Sequence, residues 1–112
     1  MYMNRYEIYA VNLDPTVGAE INKTRPCVII SPDEMNKHLL TVQVAPLTSK
    51  ERAIPTRVKI EATSSSGLKN DSFAALDQSK AIDKTRCSTF IGKISETEAK
   101  KIAKTLCTMY KY

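Results

Sequence analysis

Hydrophobic and polar positions alternate over short stretches along most of this chain, which is the pattern of half-buried β-strands. Residues 39–45 alternate in this way, and residues 5–13 are rich in β-branched and aromatic side chains. Residues 25–30 form a nearly continuous apolar run, which is typical of a strand buried on both faces. Further strands are predicted at residues 56–60, 72–76 and 87–94.

Proline, glycine and serine separate these strands. Pro15 and Gly18 predict a loop over residues 14–24, and Pro46 predicts the end of the third strand. Residues 31–36 predict a one-turn helix with Ser31 as its N-cap. Ile82 is expected in a short connecting segment.

The last element is an amphipathic helix. Ser95 and Glu98 form a capping-box pattern. The apolar residues that follow share one helical face, and lysines occupy the other. Short strands followed by one helix predict a mainly β fold with α: a small β-barrel with a C-terminal amphipathic helix.

Composition is that of an ordinary globular protein, and 112 residues predict one domain spanning residues 1–112. No apolar stretch is long enough for a membrane helix, and the N-terminal residues do not resemble a secretion signal. Three cysteines without a C-x-x-C pair predict reduced thiols in a cytoplasmic protein. The single histidine, His38, has no metal-ligand cluster around it, so no metal or other cofactor is expected.

The net charge of +5 is unevenly distributed. Residues 1–49 hold 4 basic and 5 acidic groups, whereas residues 50–112 hold 13 and 7. A basic half suits a polyanion such as nucleic acid, although a solvated lysine-rich surface has the same composition.

Several polar side chains fall where a predicted strand meets a loop. A barrel gathers such ends at one rim, so these groups are candidates for a common site, although each alone also has an ordinary structural role. They are Glu20, Lys23, Thr24 and Arg25; Thr48, Ser49, Lys50 and Arg52; and Asp77 and Gln78.

An ordered set of motifs resembles the MazF/PemK/Kid family of toxin endoribonucleases. The set begins with Leu13-Asp14-Pro15-Thr16, Gly18 and Glu20, and continues with Thr24-Arg25-Pro26, Val28-Ile29-Ile30-Ser31-Pro32, Pro46-Leu47-Thr48-Ser49, Pro55, Gly67-Leu68, Asp77-Gln78, Ile82-Asp83 and Ile91-Gly92-Lys93. It covers nearly the whole chain, and its order and spacing make it specific.

The resemblance implies an SH3-like barrel with a C-terminal helix that forms a homodimer. It also implies metal-independent cleavage of single-stranded mRNA at short sequence motifs. In this chemistry the ribose 2′-hydroxyl attacks the adjacent phosphorus and leaves a 2′,3′-cyclic phosphate and a 5′-hydroxyl. A cognate antitoxin is implied as the inhibitor, which covers the RNA site with an acidic segment.

By match of motif, the resemblance implies that Arg25 and Thr48 are the catalytic pair and that Glu20 is an acidic loop residue needed for activity. Asp77 matches an aspartate that is catalytic or contacts RNA. The chain departs from some members by having Ala19 and Ala75 in place of a histidine and an arginine, which disfavours a Kid-like acid–base set. The remaining expected RNA contacts are Lys23, Thr24, Ser49, Lys50, Arg52, Arg57 and Gln78.

Two other functions are compatible with such a barrel. A CcdB-like poison of DNA gyrase acts through a C-terminal tryptophan, and this chain has none. A non-catalytic RNA-binding barrel would keep the basic loops but would not require Arg25 and Thr48 together.

Overall fold

The computed structural model describes residues 3–111, and antiparallel strands are the main regular secondary structure among them. The elements are β1 (Glu7–Asn12), β2 (Thr24–Ile29), α1 (Asp33–His38), β3 (Thr41–Thr48), β4 (Arg57–Ile60), β5 (Ser72–Ala75), β6 (Lys80–Asp83), β7 (Cys87–Lys93) and α2 (Glu96–Met109). Short 3-10 turns at Leu76–Gln78 and Lys84–Arg86 precede and follow β6. The mainly β fold with a C-terminal helix is therefore confirmed.

The strands form one strongly bent sheet in the order β4-β5-β3-β2-β1-β7, and β6 also pairs with β3. Within residues 3–111 the two edge strands, β4 and β7, are not paired with each other, so the barrel is open between them. The β4–β5 loop bridges this opening, because the amide of Lys93 donates to the carbonyl of Ser65 over 2.9 Å. Gly92 permits this approach: a Cβ there would lie 2.2 Å from the Ser66 carbonyl oxygen.

Each central strand buries both of its faces. In β1, Ile8 joins an apolar cluster under α2, whereas its neighbour Tyr9 joins a second cluster on the opposite face. In β2, Val28 belongs to the cluster under α2 and Cys27 to the second cluster, because successive side chains of a strand point to opposite faces. The sheet is thus packed on both sides, which holds the strand ends in fixed positions.

Helix α2 seals the first cluster with the face that its sequence predicts. Ile102 is fully buried, and the capping box between Ser95 and Glu98 is present in both directions. Glu98 also accepts a hydrogen bond from the amide of Glu61, 2.7 Å away, which ties the start of α2 to the end of β4. Within residues 3–111 neither helix combines the length and the apolar character that crossing a membrane requires.

Three local predictions are wrong. Strand β3 does not end at Pro46 but continues to Thr48, because Pro46 lies where β3 changes partner from β6 to β5 and needs no amide donor there. Ile82 lies within strand β6, paired with Val42. Ser31 does not cap α1: Pro32 is the N-cap, and the Ser31 hydroxyl instead bonds the side chain of Asn36.

The cysteines are all free thiols. Cys27 is fully buried in β2, and burial raises the pKa of its thiol to about 12. It therefore stays protonated and acts as a small apolar residue, as predicted. Cys107 differs from that prediction, since it lies exposed on α2.

Candidate active site

A cavity of about 260 Å³ opens where the β1–β2 loop, the end of β3, the start of β4 and the turn before β6 meet. Most of the predicted site residues line it: Glu20, Arg25, Thr48, Ser49, Lys50, Arg52, Arg57 and Gln78. The barrel therefore brings together residues from four separate parts of the chain. Lys23, Thr24 and Asp77 do not line this cavity.

Arg25 enters the cavity from the start of β2, where it is paired with Val11. Its Nε donates to the backbone carbonyl of Asn22 over 2.8 Å, which orients the guanidinium. Both Nη groups make no hydrogen bond or ion pair with residues 3–111. Arg25 thus offers two fixed donors of a kind that binds phosphate oxygens.

Thr48 is the last residue of β3 and is paired with Phe73 of β5. Its side chain is almost buried, with 7% of the residue exposed. The Thr48 Oγ1 accepts the amide of Lys50 over 3.2 Å, and its hydroxyl hydrogen remains available to a ligand in the cavity. Pairing within the sheet makes this hydroxyl a fixed donor.

Arg57 is the second cation with a fixed orientation at this site. Its Nε and Nη2 donate to the two carboxylate oxygens of Asp77 over 2.8 and 3.0 Å, and only 7% of the Arg57 side chain is exposed. The Thr56 hydroxyl donates to the same carboxylate over 3.1 Å. These donors lower the pKa of Asp77, and the hydrogen bonds to Asp77 raise the pKa of Arg57. Both oxygens of the Asp77 carboxylate therefore accept hydrogen bonds from Arg57 and fix its orientation.

Glu20 and Gln78 organise the loop between β1 and β2. The Glu20 Oε1 accepts the amide of Val17 over 2.6 Å, and its second carboxylate oxygen makes no hydrogen bond with the described residues. Gln78 Oε1 accepts the amide of Ile21 over 2.7 Å, and its Nε2 donates to the carbonyl of Ala19 over 3.4 Å. The side chain of Gln78 therefore makes hydrogen bonds to the backbone on both sides of Glu20.

The other predicted RNA contacts fall into two groups. Ser49, Lys50 and Arg52 are exposed on the loop after β3 and face solvent at the rim of the cavity. Lys23 and Thr24 instead close the base of the β1–β2 loop: the Lys23 carbonyl accepts the amide of Leu13, and Thr24 is paired with Asn12. His38 lies on α1 with Glu34, 3.3 Å away, and does not line the cavity.

Sequence reasoning missed two residues that hold the site together. The backbone carbonyl of Asn22 orients Arg25, and the Arg86 guanidinium donates to the carbonyls of Asn12 and Asp14 at the start of the same loop. No sequence signal marks either role, since any residue has a carbonyl and Arg86 is 72 positions from Asp14. Across residues 3–111 no cluster of His, Cys, Asp or Glu is arranged to hold a metal ion.

Comparison with known proteins gives one consistent family. The sequence model described as "PemK-like, MazF-like toxin of type II toxin-antitoxin system" matches residues 4–110. The protein named Endoribonuclease MazF from Staphylococcus saprophyticus is 36% identical over 102 residues, which cover 89% of this chain and 84% of the relative.

Solved structures agree with this match at the level of the fold. MazF from Deinococcus radiodurans has a TM-score of 0.83 at 19% identity and covers 97% of this chain and 96% of its own. An endoribonuclease from a mycobacterial species, solved in complex with its cognate antitoxin, has a TM-score of 0.76 at 24% identity, covering 95% of this chain and 92% of its own. With the family match over residues 4–110, this chain belongs to the PemK-like, MazF-like toxins of type II toxin–antitoxin systems.

Proposed function

We propose that this chain, an endoribonuclease of its toxin family, cuts single-stranded mRNA in the cytoplasm at short sequence motifs without a metal ion. The ribose 2′-hydroxyl loses its proton and attacks the adjacent phosphorus, and the bond from phosphorus to the 5′-oxygen breaks. The leaving oxygen takes up a proton, so the products carry 2′,3′-cyclic phosphate and 5′-hydroxyl ends. The observation that carries the proposal is the meeting of Arg25 and Thr48 in one cavity, where both have hydrogen-bond donors with no partner in the described residues.

Charge development on the phosphate explains why these donors are needed. The transition state concentrates negative charge on the non-bridging oxygens, and fixed donors in a partly shielded site stabilise it more than mobile water does. The two Nη groups of Arg25 can bind two of these oxygens at once. The hydroxyl of Thr48 donates to the same phosphate or holds the 2′-hydroxyl in line, so it acts by positioning.

Glu20 is the better candidate for accepting the proton of the 2′-hydroxyl. It lines the cavity and keeps one carboxylate oxygen without a hydrogen bond to the described residues. Asp77 lies outside the cavity, and its carboxylate holds Arg57 through both oxygens. A carboxylate bound in this way is a poor base, because protonation would break its hydrogen bonds to the guanidinium.

The basic side chains that line the cavity hold the RNA backbone. Lys50 and Arg52 lie on the loop after β3, and Arg57 offers the donors that Asp77 leaves unused. Each phosphate contact releases counterions, so binding weakens steeply as salt increases. We expect Arg52→Ala to reduce the slope of log affinity against log salt by about 0.7, the value for one phosphate contact on a single strand.

The relative solved with its cognate antitoxin supports the same kind of partner here. An acidic antitoxin segment would meet the same Lys50 and Arg52 that bind RNA, so the two ligands should compete. The proposed homodimer predicts a sedimentation coefficient for twice the 12.5 kDa chain. A monomer at micromolar concentration would contradict it.

One assay tests the central reaction. The purified protein is incubated with a long single-stranded RNA in excess chelator, and the ends of the fragments are analysed. We expect discrete fragments with cyclic phosphate ends, and their loss in Arg25→Ala. Arg25→Lys should also be inactive, since one ammonium cannot replace two guanidinium donors. Lys104→Gln, on the exposed side of α2, should cleave like the unaltered protein. Intact RNA in chelator would favour a gyrase poison or a non-catalytic RNA-binding barrel.

A further inference from the structure

Two further cavities continue the groove beyond the candidate active site. One of about 410 Å³ shares Ala19, Glu20, Ile21 and Gln78 with the catalytic cavity. The next, of about 580 Å³, shares Ser79 and Lys80 with that intermediate cavity. Each cavity thus shares wall residues with the next, and we call this series of three cavities, from Arg25 to the C-terminal end of α2, the groove.

The far cavity has the chemistry of a nucleotide subsite. Tyr110 lines it with 74% of the residue exposed, and its ring has no aromatic partner among residues 3–111. Lys80 lies on the shared wall, and its ammonium makes no ion pair or hydrogen bond with the described residues. No acidic side chain is among the residues that line this cavity. An exposed ring beside an unpaired cation can stack a base and bind its phosphate.

We propose that RNA extends from the cut site along this groove, with a flanking base stacked on Tyr110 and a phosphate bound by Lys80. This subsite, called the Tyr110 subsite, rests on the proposed RNA cleavage and adds affinity outside the motif that is cut. Aromatic stacking accepts every base, so the subsite strengthens binding without restricting the sequence.

An RNA strand fits this surface better than an acidic peptide does. A lone lysine gives a peptide only one ion pair at an exposed site, which is worth little. A nucleotide uses the ring and the cation together, and it belongs to the same polymer that is proposed to bind in the catalytic cavity, beyond the intermediate cavity. Only 6% of the residues are aromatic, so few side chains can stack RNA bases, and Tyr110 would supply one of these stacking surfaces.

The test compares short and extended substrates. Once cleavage of a long RNA has identified the motif, three RNAs are made with a 2′-deoxy nucleotide at the cut site, which prevents the attack. One holds the motif alone, and the others extend it on either the 5′ or the 3′ side by about six nucleotides, within the range of small single-strand-binding folds. We expect one extension to tighten binding and Tyr110→Ala to remove that gain, a loss of about fivefold.

Two matched pairs of variants separate stacking and charge from general damage. Tyr110→Phe keeps the ring and should keep the gain, whereas Phe90→Ala removes another exposed ring, on β7, and should change nothing. Lys80→Gln should reduce the salt slope for the extended RNA by about 0.7, and Lys104→Gln should leave it unchanged. Unfolding temperatures of these surface variants confirm that each is folded.

Each other outcome overturns the subsite. If the unaltered chain cuts RNA but Tyr110→Ala keeps the full gain from the extension, the subsite is wrong and the cleavage stands. If the variants weaken only the binding of an acidic peptide, the surface belongs to a protein partner. If Tyr110→Ala changes the sedimentation coefficient instead, Tyr110 lies between protomers. Absence of any RNA cleavage by the unaltered chain would overturn both proposals.

Discussion

Asp77 binds the guanidinium of Arg57 through both carboxylate oxygens, with Nε–Oδ1 and Nη2–Oδ2 distances of 2.8 and 3.0 Å. Asp77 lies in the 3-10 turn that follows β5, and Arg57 begins β4, so the pair joins neighbouring strands at the rim of the barrel. The adjacent Gln78 holds the β1–β2 loop. Asp77 and Gln78 therefore position a cation and a loop on two sides of the candidate active-site cavity.

The ion pair predicts a pH-dependent contribution to stability. Because hydrogen bonds from Arg57 lower the pKa of Asp77, the pair stabilises the fold above the unfolded carboxyl pKa of about 4. Asp77→Asn should lower the free energy of unfolding by about 1–2 kcal/mol at neutral pH. The difference should shrink as the pH falls through the lowered native pKa, below 3.8.

Urea unfolding at a series of pH values measures this effect. Asp71→Asn is the matched control, because Asp71 pairs with Lys59 over 3.7 Å and its side chain is 51% exposed. It should cost less than Asp77→Asn at neutral pH. An equal loss in the free energy of unfolding for the two variants at neutral pH would show that the Asp77–Arg57 pair stabilises the fold no more than an exposed ion pair does.

The assignment of Glu20 as the proton acceptor predicts a kinetic difference between two carboxylates. Glu20→Gln keeps an oxygen for the amide of Val17 but removes the base, so kcat should fall about 100-fold or more. Asp77→Asn leaves Glu20 in place and should lower kcat less. Single-turnover cleavage with saturating enzyme measures both. A larger loss in Asp77→Asn would reverse the assignment.

The hydroxyl of Thr48 can be removed without changing the shape of the side chain. Thr48→Val keeps the β-branched side chain at this almost buried strand position, so the fold should be retained. Loss of the fixed donor should lower kcat about 100-fold, whereas Thr48→Ser restores the hydroxyl and should recover much of the rate. Cleavage rates of the two variants are compared at the same RNA concentration. Similar rates for Val and Ser would exclude a role for the hydroxyl.

The hydrogen bond between Gln78 and the Ile21 amide should limit the mobility of the loop that carries Glu20. Gln78→Ala removes the acceptor of the Ile21 amide, so hydrogen exchange at that amide should become faster. The amide of Leu13, which donates to the carbonyl of Lys23, is an internal control and should exchange as before. Unchanged exchange at Ile21 would mean that the loop is held by other contacts.

Two glycines predict different costs for the same substitution. Gly92→Ala would place a Cβ 2.2 Å from the Ser66 carbonyl oxygen, so the loop that bridges the sheet edges must move, at a cost of about 2–3 kcal/mol. A Cβ at Gly18 meets nothing within 4 Å, and Gly18→Ala costs only the strain of its φ of +58°, about 1 kcal/mol. Chemical unfolding measures the loss of stability in each variant. A larger loss for Gly18→Ala than for Gly92→Ala would contradict the close contact between the β4–β5 loop and β7.

Local patterns determined the elements of the fold. Alternation predicted β4 close to its observed bounds, because a strand with a buried face must repeat every two residues. β-Branched and aromatic content predicted β1, and β5 and β7 were also predicted near their observed bounds. The capping box of Ser95 and Glu98 was readable because its partners are three positions apart. The family motifs singled out Arg25 and Thr48, which lie at strand ends, so this pair was expected to be catalytic before the cavity was known.

Tertiary structure decided the features that join distant parts of the chain. Pro46 normally ends a strand, and only the exchange of β6 for β5 beside β3 explains why this one does not. Asp77 was expected to act on RNA, but its engagement with Arg57, 20 positions away, depends on the pairing of β4 and β5. The hydrogen bond between Gln78 and the amide of Ile21 joins residues 57 positions apart. Such contacts depend on how the strands are arranged in space, whereas sequence periodicity reports only which face of each strand is buried.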